Sequence, residues 1–354
     1  MRRRDLLAAA AALPLLYTST ARAADKPKIK AGQIGTKHAH ASGKIGALRK
    51  FSDDYEVIGV VEPDEKQRKR VEGSGPYRDV PFMTQEELLN AKGLQLVAVE
   101  TEVRDLVPAA ARCIEAGMHI HLDKPAGESL PAFRTLLDAA TKKKLTVQMG
   151  YMLRYNPAFV ICYKAAREGW LGELFEGHAV MSKSIGAGER KKLAEYPGGS
   201  MFELGCHIID SMVYVMGKPT KVTPFNRKMK PEQDELVDNQ LAVLEYPKAT
   251  ATVRSALVEY MGGNRRQFVI CGSEGTIDIR PLEPAKLLVA FAKPQAAYKA
   301  GYQEVELPKA GGRYDGEFID LAKIIRGEKQ ADFSAEHDLA VHETVLRASG
   351  VSGE

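Results

Sequence analysis

The chain has 354 residues, with 50 Lys and Arg against 46 Asp and Glu and a formal charge of +4, long enough for two domains with sizeable cores. Its first 23 residues hold four of the Arg and one of the Asp, so the remainder carries 46 basic and 45 acidic residues, a formal charge of +1. A chain so balanced, with no basic block, excludes nucleic acid as the expected partner.

The opening "MRRRDLLAAAAALPLLYTSTARA" has a basic start, an apolar middle and the small-x-small end Ala21-Arg22-Ala23. It reads as a signal peptide of the twin-arginine form at Arg3-Arg4-Asp5-Leu6-Leu7, cleaved after Ala23, and predicts a periplasmic or secreted protein. The apolar run is short and rich in alanine, and no other segment could span a bilayer after cleavage. The four cysteines, Cys113, Cys162, Cys206 and Cys271, form no C-x-x-C pair, and buried free thiols are expected.

From residue 24 to 150, short Val- and Ile-rich runs alternate with helical patterns. The strands are expected at Ile29–Gly35, Tyr55–Val61, Leu94–Glu100, His119–Leu122 and Leu145–Met149, buried on both faces as in a parallel sheet. Between them, Thr84 with Glu87 three residues on is a capping box. "LVPAAARCIEAG" has helical spacing and ends on Gly117, and "SLPAFRTLLDAATKKK" starts from Ser129 as N-cap. This order predicts an α/β fold with a doubly wound parallel sheet that binds its ligand at the carboxyl ends of the strands.

From 151 to 354 the pattern changes. A helix over about Pro157–Glu168 precedes period-two runs, "FEGHAVMSKS", "QLAVLEYPKATATVRSALVEY", "RQFVICGSEGTIDIRP" and "KLLVAFAKP", which predict a large antiparallel sheet. "LAEYPGGS" and "KMKPEQDELVD" read as surface loops, and "YDGEFIDLAKIIRG" as an amphipathic closing helix.

Five places carry candidate chemistry. After the first strand, Gly35-Thr36-Lys37-His38-Ala39-His40 keeps one glycine where a dinucleotide turn wants G-x-G-x-x-G. Glu62 ends the second strand, where an acid accepts hydrogen bonds from the adenosine ribose and repels a 2′-phosphate, favouring NAD over NADP. Lys124 ends the fourth strand, in "HLDKPAGES". Glu203, His207 and Asp210 have the spacing of one helix face, on which a carboxylate could orient the imidazole for acid/base work. No nearby carboxylate or Cys completes a metal-site pattern with the pairs His38/His40 and His119/His121, and no metal is expected.

With these pieces in order, the chain resembles the Gfo/Idh/MocA oxidoreductase family from Lys28 to about Ser349. The matching segments are "VIGVVEPD", "AGMHIHLDKPAGES", "MGYMLRYNPA", "GGSMFELGCHIID", "VDNQLAVLEY" and "GSEGTIDI". The resemblance implies a Rossmann domain (24–150) and a C-terminal α/β domain with an open antiparallel sheet (151–354), which could pair subunits into a homo-oligomer. It implies NAD(P)-dependent hydride transfer on a sugar, glycoside or cyclitol. By position, Lys124 becomes the lysine that hydrogen-bonds the reacting hydroxyl and His207 the proton acceptor. Glu203 stands where the family has an aspartate. Gly35, Thr36, Lys37, Glu62, Thr101, Asp123 and Lys124 fall on the cofactor, and Arg154, Tyr155, Asn156 and Asp210 on the substrate.

Two departures bear on the cofactor. Lys37 and His40 break the glycine fingerprint, and Thr101-Glu102 replaces the common T-P. Thr36, Lys37 and Ser42 could bind phosphate through their side chains instead. An exported enzyme without a soluble NAD pool is expected to retain its cofactor and reset it within each cycle, by redox-assisted glycoside cleavage or by sugar–sugar oxidoreduction. The alternative is a non-catalytic carbohydrate-binding protein on a degenerate Rossmann shell.

Overall fold

In a computed structural model that describes residues 26–309 and 311–352, the chain builds two sheets. The expected signal segment, residues 1–23, lies outside the described residues. The first half runs β1 (Ile29–Ile34), α1 (Ala41–Lys50), β2 (Tyr55–Val61), α2 (Glu65–Val71), α3 (Gln85–Leu89), β3 (Leu94–Val99), α4 (Val103–Glu115), β4 (His119–Leu122), α5 (Leu130–Lys142) and β5 (Val147–Met149). The second half runs α6 (Pro157–Arg167), β6 (Leu174–Val180), α7 (Ala187–Leu193), α8 (Cys206–Met216), β7 (Lys221–Arg227), β8 (Asn239–Glu245), β9 (Thr250–Ala256), β10 (Gln267–Gly272), β11 (Gly275–Leu282), β12 (Ala285–Phe291), β13 (Gly301–Val305), α9 (Asp315–Ile325) and α10 (Ala335–Ser349).

The first sheet is parallel, in the order β2-β1-β3-β4-β5. Its register puts Ile34 level with Val61 and Val99, Val99 with Leu122, and Leu122 with Met149. All five strands therefore end in one row. The residues that follow, Gly35, Glu62, Glu100, Asp123 and Gly150, emerge side by side where the strand order reverses, the usual place for a ligand. The caps read from sequence are present. Thr84 and Glu87 exchange capping-box bonds, and Ser129 accepts from the Ala132 amide.

The second sheet has eight strands, β13-β12-β11-β10-β6-β9-β8-β7. It departs from the expected antiparallel pattern at one pair: β6 runs parallel to β9. The chain between them crosses over through α7 and α8 and the hairpin β7–β8, which leaves room for a parallel return. Two segments expected to be surface loops are partly internal. Ser200 is buried and donates to Gln240 and the Ser255 carbonyl, while Asp238 is buried and accepts from Arg190 and the Met229 amide. The four cysteines are free thiols, three of them buried. Among the described residues no helix is long and apolar enough to cross a membrane.

The closing helix α9 belongs by packing to the first sheet, although it lies in the second half of the sequence. Phe318, Leu321 and Ala322 join Ile29, Ala31, Tyr55, Leu96 and Ala98 in one cluster, and the Tyr55 hydroxyl donates to the Phe318 carbonyl at 2.6 Å. α4 and α5 cover the other face. The last helix, α10, is not announced by the sequence pattern. Its buried side includes Asp338, His342 and Thr344, which interrupt the apolar stripe that would have announced it.

His342 itself is a stability switch. It is fully buried with both ring nitrogens unpartnered, edge-on to Phe133 at 5.1 Å, and burial pushes its pKa down to about 4. Between its ordinary range near 6.5 and pH 4 the unfolded chain binds a proton that the folded chain refuses, so this group lowers stability as pH falls. The expected loss by pH 4 is on the order of 3 kcal/mol. Urea denaturation of His342→Leu should be less sensitive to pH between 7 and 4 by about that amount, and parallel curves for the two proteins would refute the assignment.

Candidate functional site

The turn after β1 starts at Gly35, whose φ of +89° and close approach to β3 admit no side chain. A Cβ there would lie 2.7 Å from the Glu100 backbone. The retained first glycine therefore does its usual work of turning the chain tightly. A cleft of ≈ 670 Å³ opens beside it between the ends of β1, β2 and β3, lined among others by Gly35, Lys37, Glu62, Thr101 and Glu102. α1 starts at Ala41, and its N-cap His40 makes no side-chain cap; the Ala41 amide donates to the His38 carbonyl at 3.1 Å, so only the amides after it lack a capping acceptor that would compete with an anionic ligand. Cleft, turn and uncapped helix fit a dinucleotide.

Several side chains expected to bind the cofactor are already engaged with one another. One Glu62 oxygen accepts from the Thr36 amide at 2.9 Å and from its hydroxyl at 2.7 Å, and the other from the Asp64 amide at 3.0 Å. Thr36 also accepts from Gln67 at 3.1 Å. The carboxylate and the threonine thus brace the turn, with the Thr36 amide and hydroxyl both given to Glu62. Lys37 reaches across the rim to Asp64 at 3.0 Å and Glu102 at 3.9 Å, and the Asp64 bond raises its pKa. The Thr101 hydroxyl donates to the Glu102 carbonyl at 3.0 Å.

Asp123 is turned inward. Its carboxylate lies 3.1 Å from Nδ1 of both His38 and His40 and accepts from the Lys124 amide at 2.7 Å. Glu100, missed in the sequence, lies beside it, fully buried with neither oxygen hydrogen-bonded. Burial and the adjoining Asp123 charge push Glu100 well above the usual carboxylate range. Asp123 is held well below that range: burial opposes ionisation, but the two imidazoles outweigh it. Deeper still, Lys44 pairs with Glu317 of α9, and His121 Nε2 lies 2.9 Å from the same carboxylate. Lys44 shares a stripe with Ala41, Ile45 and Leu48 on α1, and Glu317 falls on the buried side of α9. A charged residue on an apolar stripe was the signal for both.

Across the crevice, Lys124 is 2% exposed, and its Nζ donates to the Glu203 carbonyl at 2.8 Å and lies 3.9 Å from the Glu203 carboxylate. Burial works against its charge, but the surrounding negative groups, Glu203 and Asp123 among them, raise its pKa, so it stays an ammonium. Glu203 is drawn to Lys183 at 3.4 Å as well; burial disfavours its ionised form, yet the charges of Lys124 and Lys183 lower its pKa. His207 is buried, packs edge-on to Tyr151 at 6.0 Å and leaves Nδ1 unpartnered. Burial first, then Lys124 and His40, hold it well below the usual imidazole range. It is neutral at pH 7 and can accept a proton.

The spacing argument for this helix fails at its start. Met201–Gly205 forms a π-type turn before α8, so Glu203 faces the lysines and makes no hydrogen bond to His207. π-turns of this kind are frequent at functional sites. Asp210 points elsewhere, to Arg154 at 2.7 Å and His337 at 3.0 Å. Arg154 is 3% exposed and also grips Asp338. Tyr155 accepts from Gln148 at 2.9 Å and donates to Asp320 at 3.0 Å, while Asn156 caps α6 and donates to the Leu282 carbonyl at 3.1 Å. The structure therefore gives these four expected substrate residues bracing bonds under the site. Lys124, Glu203 and His207 come together above them.

Comparison with known proteins follows this geometry. Residues 29–151 match the family model described as oxidoreductase family, NAD-binding Rossmann fold, and residues 160–278 match the GFO/IDH/MocA C-terminal domain. The chain is 25% identical over 348 residues to scyllo-inositol 2-dehydrogenase (NADP(+)) IolW of Bacillus subtilis (strain 168), covering 92% of its own length and 95% of the relative's. It is 23% identical over 233 residues to trans-1,2-dihydrobenzene-1,2-diol dehydrogenase of Xenopus laevis, 64% of this chain and 67% of that one. In fold it is similar to an aldose-aldose oxidoreductase from Caulobacter crescentus, with a TM-score of 0.75, 18% identity, and 92% and 98% of the two chains covered.

Proposed function

The chain belongs to the Gfo/Idh/MocA family of NAD(P)-binding oxidoreductases, and from that premise we propose that it oxidises a secondary hydroxyl of a sugar, glycoside or cyclitol. The observation that carries this reading is the buried Lys124 ammonium just past the carboxyl end of β4, beside Glu203 and the neutral His207, in the same row of strand ends as the Gly35 turn that lines the cleft. Gly35, the α1 amides, Lys37 and Thr101 would hold the cofactor, with Glu62 bracing the turn at its adenosine end. The dinucleotide supplies the two-electron acceptor.

Lys124 orients the hydroxyl by donating a hydrogen bond to its oxygen and stabilises the charge that develops as the proton departs. His207 takes that proton while the hydride leaves the adjacent carbon, and a ketone results. Glu203 holds Lys124 in place and keeps it charged. The neighbouring carboxylates Glu62, Asp64 and Glu102 disfavour a 2′-phosphate, so NAD is the proposed cofactor rather than NADP. The retained Lys124 and His207 favour this reading over a non-catalytic sugar-binding shell.

We further propose export and a retained cofactor that is reset in each cycle, through glycoside cleavage in preference to sugar–sugar transfer. The fold likeness to an aldose-aldose oxidoreductase is compatible with such recycling. Protein recovered from the periplasmic fraction, once denatured, should release NAD(H), identified by mass. Glycosides supplied without added cofactor should then be cleaved, with solvent deuterium appearing beside the oxidised carbon. NADP(H) in its place would reverse the cofactor choice. Accumulation of free NADH that depends on added NAD would reject recycling, and accumulation in the cytoplasm alone would reject export.

A further inference from the structure

His38 and His40 occupy the turn that normally carries the second and third glycines, and the fold brings Asp123 to them from 83 residues on. One donor atom from each of His38, His40 and Asp123 lies within 4.8 Å of the others. Both imidazole-to-carboxylate separations are 3.1 Å. Donor atoms around a tetrahedral centre with bonds of ~2.1 Å stand roughly 3.4 Å apart, so each imidazole–carboxylate pair is already near ligand spacing, within a donor set no wider than 4.8 Å. The Glu100 carboxylate comes within 3.9 Å of His38 Nδ1.

Charge points the same way. Asp123 and Glu100 are both completely buried, and Glu100 has no hydrogen-bond partner at either oxygen. The nearby lysines are committed elsewhere: Lys44 to Glu317, and Lys124 to the Glu203 carbonyl. Two carboxyl groups so close together out of water cannot both ionise unaided: either one holds a proton, which is the direction in which Glu100 is pushed, or a cation takes the proton's place. His38 Nδ1 also lies 3.4 Å from the His40 amide as a possible acceptor, which conflicts with donating to Asp123. A metal ion bound at Nδ1 removes the need for a ring proton between His38 and Asp123, in exchange for the long bond from the His40 amide.

We propose that His38, His40 and Asp123, joined by Glu100, bind one first-row divalent cation at the mouth of the β1 turn. The mixed nitrogen and oxygen donors suit Zn²⁺, Mn²⁺, Fe²⁺ or Co²⁺ rather than Ca²⁺ or Mg²⁺. The carboxylates close the inner side. The histidine side chains, 11% and 19% exposed, face the crevice and leave an open position for an oxygen ligand. Positive charge then stands where the missing glycines would have let backbone amides approach an anion. The other acidic cluster with a histidine, Asp210, His337 and Asp338, is already filled by Arg154.

The test is a Co²⁺ titration of tag-free full-length protein stripped with a chelator, read by visible absorption, with Zn²⁺ competition and melting temperature alongside. One equivalent should bind with a nitrogen/oxygen spectrum, Zn²⁺ should displace it, and Tm should rise. Asp123→Asn and the pair His38→Ala with His40→Ala should lose Co²⁺ affinity by about 100-fold or more, whereas His119→Gln should bind normally. No saturable binding by the folded wild type, or equal binding by the variants, overturns the proposal. A sulfur charge-transfer band, which would put the ion on a cysteine, also overturns it. Should the variants fail to fold, the stoichiometry and spectrum of the wild type still decide. None of these readouts depends on turnover, so the result stands apart from the hydride-transfer reading.

Discussion

Replacing Lys124 by Ala should lower kcat/KM by about 10²–10⁴-fold on a verified substrate while the protein stays folded. The loss should fall mainly on kcat, because the ammonium is worth most where negative charge develops on the substrate oxygen. Its immediate surroundings predict the fold's survival: the side chain gives one hydrogen bond to the Glu203 carbonyl and lies at the end of β4 rather than in the apolar core. His207→Asn should lose turnover on the same scale, since a carboxamide cannot take the proton. Steady-state kinetics with circular dichroism on each variant is the measurement. Activity within a few-fold of wild type for both would move the chemistry elsewhere in the crevice.

The second large effect is on stability. Arg154→Leu should destabilise the protein by about 3–5 kcal/mol, because it leaves Asp210 and Asp338 buried without their shared cation. Both carboxylates are at most 2% exposed, and Phe333 covers the guanidinium at 4.0 Å, so water cannot replace the lost charge. Combining Arg154→Leu with Asp210→Asn and Asp338→Asn should recover part of the loss, since the orphaned charges go with it. Chemical denaturation gives both numbers. A loss below about 1 kcal/mol would mean that the cluster is wetter than its burial implies.

These two residues mark what the sequence could and could not convey. Strand positions were legible because each parallel strand is a short Val- and Ile-rich run, and Tyr55–Val61 and His119–Leu122 match in both bounds. Lys124 was legible because its strand ends at Leu122. The motifs place Arg154 and Asp210 near the substrate, but position in a motif does not say which way a side chain turns. Their mutual bond spans 56 residues. The spacing of Glu203 and His207 misled because a π-turn changes the periodicity on which the face argument rests. Asp123 and the two histidines could not be joined in sequence at all. The register of β1 with β3 and of β3 with β4 brings them together.

The return of α9 to the first sheet has a consequence for synthesis. When residue 150 has been added, all five strands of that sheet exist, yet the face that Phe318, Leu321 and Ala322 will cover is still bare. The first residue of α9, Asp315, is the 165th to be added after that, which at ~5–20 residues per second is roughly 10–30 s. Through that interval Lys44 also lacks the carboxylate of Glu317 that neutralises it. The nucleotide-binding half thus cannot finish folding on the ribosome ahead of the rest, and a fragment ending near 150 should invite chaperones and proteases. Maturation of the turn that faces the cofactor is thereby timed by nearly the last helix to be translated.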